Sequence, residues 1–267
     1  MKKYLSFFRM RFSMGLQYRA AAVAGISTQF AWGFMELFVY RAFYRVDASA
    51  FPMEFSAVVN YIWLQQAFLA LFMGWMIDGE TIDSISTGSI AYELCRPVHI
   101  YHMWFARTAA NRISQAVLRC MPVLVVAAFL PEPYGLTFPE NPVTLLLFLI
   151  TMTLATLVCV AIDVALYVTC FYTIAPLGIR IFYGAASELF SGHVVPLPFM
   201  PDRVRSVVEV LPFAATQNVP LRVFSNDYSG PELIQAIGLQ VFWLVVLLWV
   251  GIRLSISAEK KLVIQGG

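Results

Sequence analysis

Long apolar runs alternate with short polar connections along this chain. Six of the runs reach the roughly 20 residues that a helix needs to cross the hydrocarbon of a bilayer. They predict six transmembrane helices, at 20–40, 55–77, 109–130, 143–168, 174–195 and 233–256. The third and fifth runs are the least regular, because they contain Arg119 with Pro122, and Pro176 with Arg180 and Glu188. The predicted fold class is an all-α integral membrane protein, with one transmembrane domain over residues 1–267.

The first residues have the three-and-four spacing of an amphipathic helix. Over 2–17, polar side chains share one face and Leu5, Phe8 and Phe12 share the other. A basic helix with aromatic residues beneath it suits the headgroup layer. We therefore predict an elbow helix over 1–19 that leads into the first span; a solvated tail is the alternative. Its interface candidates are Lys2, Lys3, Arg9 and Arg11.

The segment 196–232 is rich in proline but stays apolar between its prolines. Such backbone is tolerated at membrane depth only where protein or a wet cavity supports it. We therefore predict that the fifth span ends partway through the membrane. A short re-entrant or interfacial helix at 202–211 should follow near the outer surface. An ordinary extracellular loop packed on the spans is the alternative.

Composition and charge fix the class and the orientation. The chain is 60% hydrophobic and 13% charged, with a mean hydropathy of +0.72, far from the soluble average. A net charge of +2 gives no indication of nucleic-acid binding. Of the 18 basic residues, 13 fall on the side that carries both termini and five on the other. The positive-inside rule then places both termini, and the loop at 78–108, in the cytoplasm.

The motifs of common enzyme chemistry are missing from the sequence. A phosphate-binding loop needs a lysine, and no lysine lies between residues 4 and 259. The three histidines are too scattered to predict a metal site, and no catalytic residues are assigned. We therefore expect no enzyme activity and no cofactor in this chain.

Among the ionisable residues in or near the predicted spans, four stand out: Glu36, Arg119, Asp163 and Glu188. Charges at such depth are costly and are functional candidates. Arg119 and Asp163 lie on consecutive spans at comparable depth, which allows a buried pair that serves either transport or helix packing. We expect Glu36 to reach the outer interface and Glu188 to line a polar passage.

Two stretches carry a family resemblance. The first is the loop segment Leu94-Cys95-Arg96-Pro97 within 89–107; the second contains Ser191-Gly192, Pro196-Leu197, Leu211-Pro212-Phe213 and Pro220-Leu221-Arg222. Together they cover about a quarter of the chain. They resemble the type-2 ABC transporter permeases, in the subgroup long labelled uncharacterised.

This resemblance implies a six-helix half-transporter in a prokaryotic plasma membrane. Its partners would be a second permease copy or paralogue, membrane lipid, and separate ABC ATPase subunits that hold the ATP and magnesium. In the family, the loop between the second and third spans carries a helix that couples to the ATPase. Carried over to this sequence, the coupling candidates are Asp83, Ile90, Tyr92, Glu93, Leu94 and Arg96. Arg96 has an alternative, which is to cap the loop or bind a lipid phosphate.

The function implied is export of an amphipathic substrate such as a drug, peptide or lipid-like molecule. Two other classes stay open at this point. One is an intramembrane lipid-modifying enzyme that uses Glu188, His193 and Asp163 as acid and base groups. The other is a passive channel or membrane scaffold.

Overall fold

The computed structural model describes residues 2–17, 19–173, 176–228 and 230–261, and within these ranges it contains helices and no strand. There are twelve α-helices in these ranges. In chain order they are α1 Lys2–Gly15, α2 Arg19–Val46, α3 Phe55–Ala67, α4 Leu69–Phe72, α5 Gly79–Ser86, α6 Ala91–Leu94, α7 Ile100–Phe129, α8 Pro142–Thr169, α9 Pro176–Phe190, α10 Asp202–Val208, α11 Asn218–Phe224 and α12 Gly230–Lys261.

Four helical segments are long and apolar enough to cross a membrane. They are Ala22–Val46, Ile100–Phe129, Pro142–Tyr172 and Gly230–Lys260. They correspond to the first, third, fourth and sixth predicted spans. The third begins at Ile100, nine residues before the predicted start. Pro97 ends the preceding loop, and His99 is extended and accepts the first bond of α7 from Met103 N.

The other two predicted spans are shorter than expected. The second consists of α3 and α4, which are separated at Phe68 and end at Phe72 rather than at 77. Residues 58–67 of α3 are all buried, so protein surrounds this helix. The fifth is α9, which ends at Phe190 rather than at 195, and its predicted first residues, Ile174 and Ala175, lie outside the described residues. At 15 residues α9 is about 22 Å long, less than the hydrocarbon thickness.

The N-terminal helix α1 lies along the first half of α7. Lys3 Nζ donates to Pro97 O at 2.8 Å, and His99 N donates to Tyr4 Oη at 3.1 Å. At the other end, Ser114 of α7 occupies the space that a side chain at Gly15 would need. The predicted amphipathic segment is thus a helix packed on the protein, which disagrees with a solvated tail.

The apolar core has two main parts. One surrounds Tyr61 and Trp63 of α3 and includes the C-terminal half of α7. The other surrounds Trp104 of α7 and Tyr167 of α8 and includes residues of the 73–99 loop. The loop therefore shares an apolar core with α7 and α8. This shared core connects the loop firmly to the long helices.

Candidate functional site

One arginine attaches the 73–99 loop to α7. The Arg107 side chain is only 7% exposed and forms ion pairs with Asp78 at 2.9 Å, Glu80 at 3.2 Å and Glu93 at 3.3 Å. These carboxylates come from the start of α5 and from α6. Asp78 also caps α5 by accepting from Glu80 N, and its own N–H donates to Tyr167 Oη. We call this arrangement the Arg107 clamp; it fixes both loop helices to the transmembrane body.

The clamp changes the assignment of Glu93. Besides Arg107, Glu93 accepts a 2.9 Å hydrogen bond from Trp104 Nε1, and its side chain is 21% exposed. A carboxylate bonded to both side chains stabilises the loop itself. Ile90 likewise faces inward, because it is 1% exposed within the apolar cluster around Trp104. The prediction that Ile90 fills a groove on a partner is therefore wrong: its side chain completes the core.

Three of the remaining candidates lie on the exposed surface of the loop. Tyr92 is 80% exposed, and Asp83 and Arg96 are exposed as well. Leu94 is half-buried and packs against the apolar cluster around Trp104. Exposed aromatic residues and arginines are enriched in protein interfaces. We call Asp83, Tyr92 and Arg96 the loop surface.

The buried charge pair differs from the predicted one. Asp163 of α8 pairs with Arg112, whose Nε lies 2.6 Å from Asp163 Oδ2, and not with Arg119. Arg112 also donates to Leu71 O and Met73 O, at the end of α4. The second Asp163 oxygen accepts from Tyr183 of α9 at 2.7 Å. This network joins four helices, and both oxygens of Asp163 are occupied, so Asp163 is a poor general acid or base.

The other predicted intramembrane charges have separate places. Arg119 lies against α2, where the absence of a side chain at Gly25 admits its guanidinium. Glu36 accepts from Gln65 Nε2 at 3.3 Å between α2 and α3. Glu188 is half-buried on α9. The structure does not bring these three together with Asp163 into one constellation.

A polar network that the sequence reasoning missed is centred on Gln65 of α3. Besides Glu36, Gln65 donates to His193 O at 3.2 Å and accepts from Gln217 Nε2 at 3.1 Å. One turn away, Tyr61 Oη donates to Gly192 O at 3.0 Å. The chain just after α9 and the chain just before α11 are thus both held by α3. Gln65 and Gln217, two glutamines within apolar stretches, are the feature of the sequence that could have predicted this network.

The turn before α12 is held by a second arginine, the last residue of the Pro-Leu-Arg motif. Arg222 of α11 pairs with Asp227 and with Glu209, the latter at 3.2 Å. Its guanidinium carbon lies 4.0 Å from the ring centre of Tyr228. Burial raises the pKa of Tyr228 to about 12. The motif arginine therefore connects α10, α11 and the turn.

These features define a multi-pass helical membrane protein whose polar loop is fixed to its spans. A family model described as "ABC-2 family transporter protein" matches residues 30–266, and the chain belongs to this family. The resemblance to type-2 ABC permeases is thereby confirmed. The family is the membrane component of ABC transporters, is not itself catalytic, and works with ATPase subunits. No curated protein matches the chain.

Proposed function

We propose that this protein is the permease subunit of an ATP-driven exporter in a prokaryotic plasma membrane. It pairs with a second copy or a paralogue and moves an amphipathic substrate, while two separate ATPase subunits supply the energy. The observation that carries the proposal is the Arg107 clamp. A loop bound by three ion pairs to a transmembrane helix transmits a displacement of the loop surface to that helix.

The proposed topology has six spans and cytoplasmic termini. The second span is α3 with α4, which together cover 18 residues, or about 27 Å of helix. The fifth is α9 with the chain that follows it. Thirteen of the 18 basic residues then lie on the cytoplasmic side, together with the loop surface.

The segment after α9 is proposed to be re-entrant from the outer side. Gln65, which binds His193 O and Gln217, is ten residues into α3, so it lies about 15 Å from the outer end of that helix. Gln240, ten residues into α12, donates to Ala215 O and to Thr151 O of α8. Both ends of 193–217 thus reach half the roughly 30 Å hydrocarbon thickness.

The N-terminal helix α1 is proposed to lie in the inner headgroup layer as an elbow. Leu5, Met10 and Met14 are exposed on it, which fits contact with acyl chains. Lys2, Arg9 and Arg11 are proposed to contact lipid phosphate, and Lys3 donates to Pro97 O at the end of the 73–99 loop. The elbow is therefore a second element near the ATPase.

In this mechanism the chain contributes no bond chemistry. ATP binding closes the two ATPase subunits and displaces the loop surface, and the Arg107 clamp passes that displacement to α7. The ATPase thereby shifts the equilibrium between two packings of the spans, one open inward and one open outward. The half-buried Glu188 of α9 is a polar group available to line the path.

Photo-crosslinking at Tyr92 tests the proposal. A benzophenone amino acid is placed at Tyr92 in cells, and the adducts are identified by mass spectrometry. The expected partner is an ATPase with a phosphate-binding loop. The same amino acid at Ser206, exposed on α10, is the control and should give no such adduct. Adducts to the ATPase from Ser206, or from neither position, would contradict the proposal.

A further inference from the structure

A carboxylate without a counter-ion lies partway along α2. Glu36 is half-buried and forms no ion pair with any residue that the structure describes. It lies ten residues, or about 15 Å, before the end of α2 at Val46, which is half the roughly 30 Å hydrocarbon thickness in the proposed topology. Asp163, by contrast, is paired with Arg112. A carboxylate at such depth must face protein, water or a ligand rather than lipid.

The helices around Glu36 supply no cation to it. The next basic residue along α2, Arg41, is more than one turn closer to Val46. Its guanidinium carbon lies 5.3 Å from the ring centre of Phe55, at the start of α3, and 5.6 Å from that of Tyr134. The helix packed against Glu36, α3, contains no charged residue. The charge of Glu36 is therefore not balanced on these two helices.

The amides beside Glu36 leave acceptors rather than donors unused. Gln65 Nε2 donates to Glu36 Oε2 at 3.3 Å and to His193 O at 3.2 Å, which uses both of its hydrogens. Gln65 Oε1 accepts from Gln217 Nε2. The fully buried Gln217 leaves its own Oε1 without a partner among the described residues. A surplus of oxygen acceptors near an unpaired carboxylate favours a cation.

An exposed aromatic and apolar face of α2 borders Glu36. Trp32 lies one turn before Glu36 on the same face and is 57% exposed, and Met35 and Val39 are exposed beside it. On the buried side, a Cβ at Gly33 would lie 3.0 Å from the Trp63 ring, so α2 packs closely on α3. Glu36 thus lies at the border between the α2–α3 contact and an accessible indole ring. The face of an indole ring attracts cations, and it does so for quaternary ammonium groups in particular.

We propose that Glu36 and Trp32 bind the cationic group of the transported amphiphile. The carboxylate supplies the opposite charge, the indole ring supplies a cation–π contact, and Met35 and Val39 contact the apolar part of the ligand. The substrate class that follows is a lipophilic cation, such as a quaternary ammonium or phosphonium compound. The role of the site in transport rests on the proposed function. Binding itself needs no ATPase, so either can fail without the other.

Binding of tetraphenylphosphonium to the purified full chain in phosphatidylcholine nanodiscs tests the site. Equilibrium dialysis measures saturable binding after subtraction of empty nanodiscs, and tetraphenylborate is the probe of the same size and opposite charge. E36Q should weaken phosphonium binding at least about tenfold, because the carboxylate charge is lost. W32L should weaken it about three- to tenfold, because the ring is lost. E54Q is the matched control and should bind like wild type, because Glu54 is an exposed carboxylate just before α3 with no ion pair among the described residues.

The outcomes separate a specific site from partition into lipid. Saturable phosphonium binding that falls in E36Q and W32L but not in E54Q supports the site. Wild-type affinity in E36Q or in W32L, an equal fall in E54Q, equal binding of tetraphenylborate, or no saturable binding above empty nanodiscs overturns it. If E36Q does not fold, W32L carries the test, because Trp32 is largely exposed and its replacement opens no cavity. Loss of the site with a retained Tyr92 crosslink to the ATPase would leave the proposed function standing.

Discussion

Arg112 of α7 and Asp163 of α8 form a buried ion pair, with Nε 2.6 Å from Oδ2 and both side chains almost fully shielded. Because Tyr183 of α9 binds the other carboxylate oxygen, the pair joins the middle of the bundle to the helix that ends early. Two charges so well bonded to each other are poorly placed to bind a substrate, and their role is to hold the helices.

Replacement of Asp163 by alanine should lower the free energy of unfolding by about 3–5 kcal/mol, because it leaves Arg112 charged and unpaired in the core. Thermal unfolding in detergent, followed by gel filtration, measures the change. Removing both charges in R112M/D163A should restore part of the loss, though Leu71 O and Met73 O then lose their donor. Recovery in R119A/D163A instead would show that Arg119 is the partner.

Release of the Arg107 clamp should loosen the 73–99 loop without unfolding the spans. In R107Q the amides of 79–94 should exchange with deuterium roughly 10- to 100-fold faster, as expected when charge-assisted bonds worth 1.5–3 kcal/mol are lost. Hydrogen exchange with mass spectrometry measures this directly. R96Q is the matched control, because Arg96 belongs to the same loop but is exposed. Similar exchange in both variants would refute the clamp.

The sequence predicted the helical elements better than the depth of their charges. Apolar runs reveal the long helices because burial in lipid needs continuous hydrophobicity. Arg112 and Arg119 are two turns apart on one face of α7, so either satisfies the same periodicity. Which of the two arginines faces Asp163 depends on how far α7 and α8 are shifted along each other. Packing determines this shift, and it places Arg112 beside Asp163.

The 73–99 loop was predictable in position but not in orientation. Pro97 and the charges around it mark a polar connection. Whether Glu93 turns outward depends on Arg107, which lies 14 residues away along the chain and beyond a proline. Ile90 is buried for the same reason, since the clamp draws α6 onto α7. A charge pattern alone does not distinguish a carboxylate that binds a partner from one that binds its own helix.

Tyr92 and Ile90 should have opposite effects when each is changed to alanine. Y92A should weaken ATPase association about tenfold, typical of an exposed aromatic anchor, and leave stability within about 0.5 kcal/mol. I90A should cost about 2–5 kcal/mol of stability, because it opens a cavity beside Trp104. Co-purification of the ATPase and thermal unfolding measure the two quantities. An I90A protein as stable as wild type would contradict the burial of Ile90 in the core.

The native cysteines allow a test of the proposed topology. Cys95 is exposed in the 73–99 loop, while Cys159 and Cys170 are buried. A membrane-impermeant maleimide should label Cys95 only after cells are permeabilised. In a C95S background, S89C should behave in the same way, and S206C on α10 should label in intact cells, because both serines are exposed. Labelling of S89C from outside would reverse the orientation and remove the ATPase from the loop surface.

Gly192, in the Ser-Gly motif after α9, should not tolerate a side chain. Its φ is +83°, and an added Cβ would lie 2.7 Å from Tyr61 Oη, the group that donates to Gly192 O. We expect G192A to lower the free energy of unfolding by about 1–3 kcal/mol, from backbone strain together with the clash. G238A is the matched control, because Gly238 lies inside α12 with open space around it. That change should be neutral or stabilise by up to about 1 kcal/mol.

The double variant Y61F/G192A separates the two parts of this cost. Removal of the Tyr61 hydroxyl relieves the clash but leaves the left-handed backbone, so the double variant should recover only part of the loss. Thermal unfolding in one detergent compares the stability of wild type, G192A, G238A and Y61F/G192A. A G192A protein as stable as wild type would mean that Gly192 is not held against α3. The Gln65 contact with the next residue, His193, would then lose its support, and with it the case for a re-entrant segment.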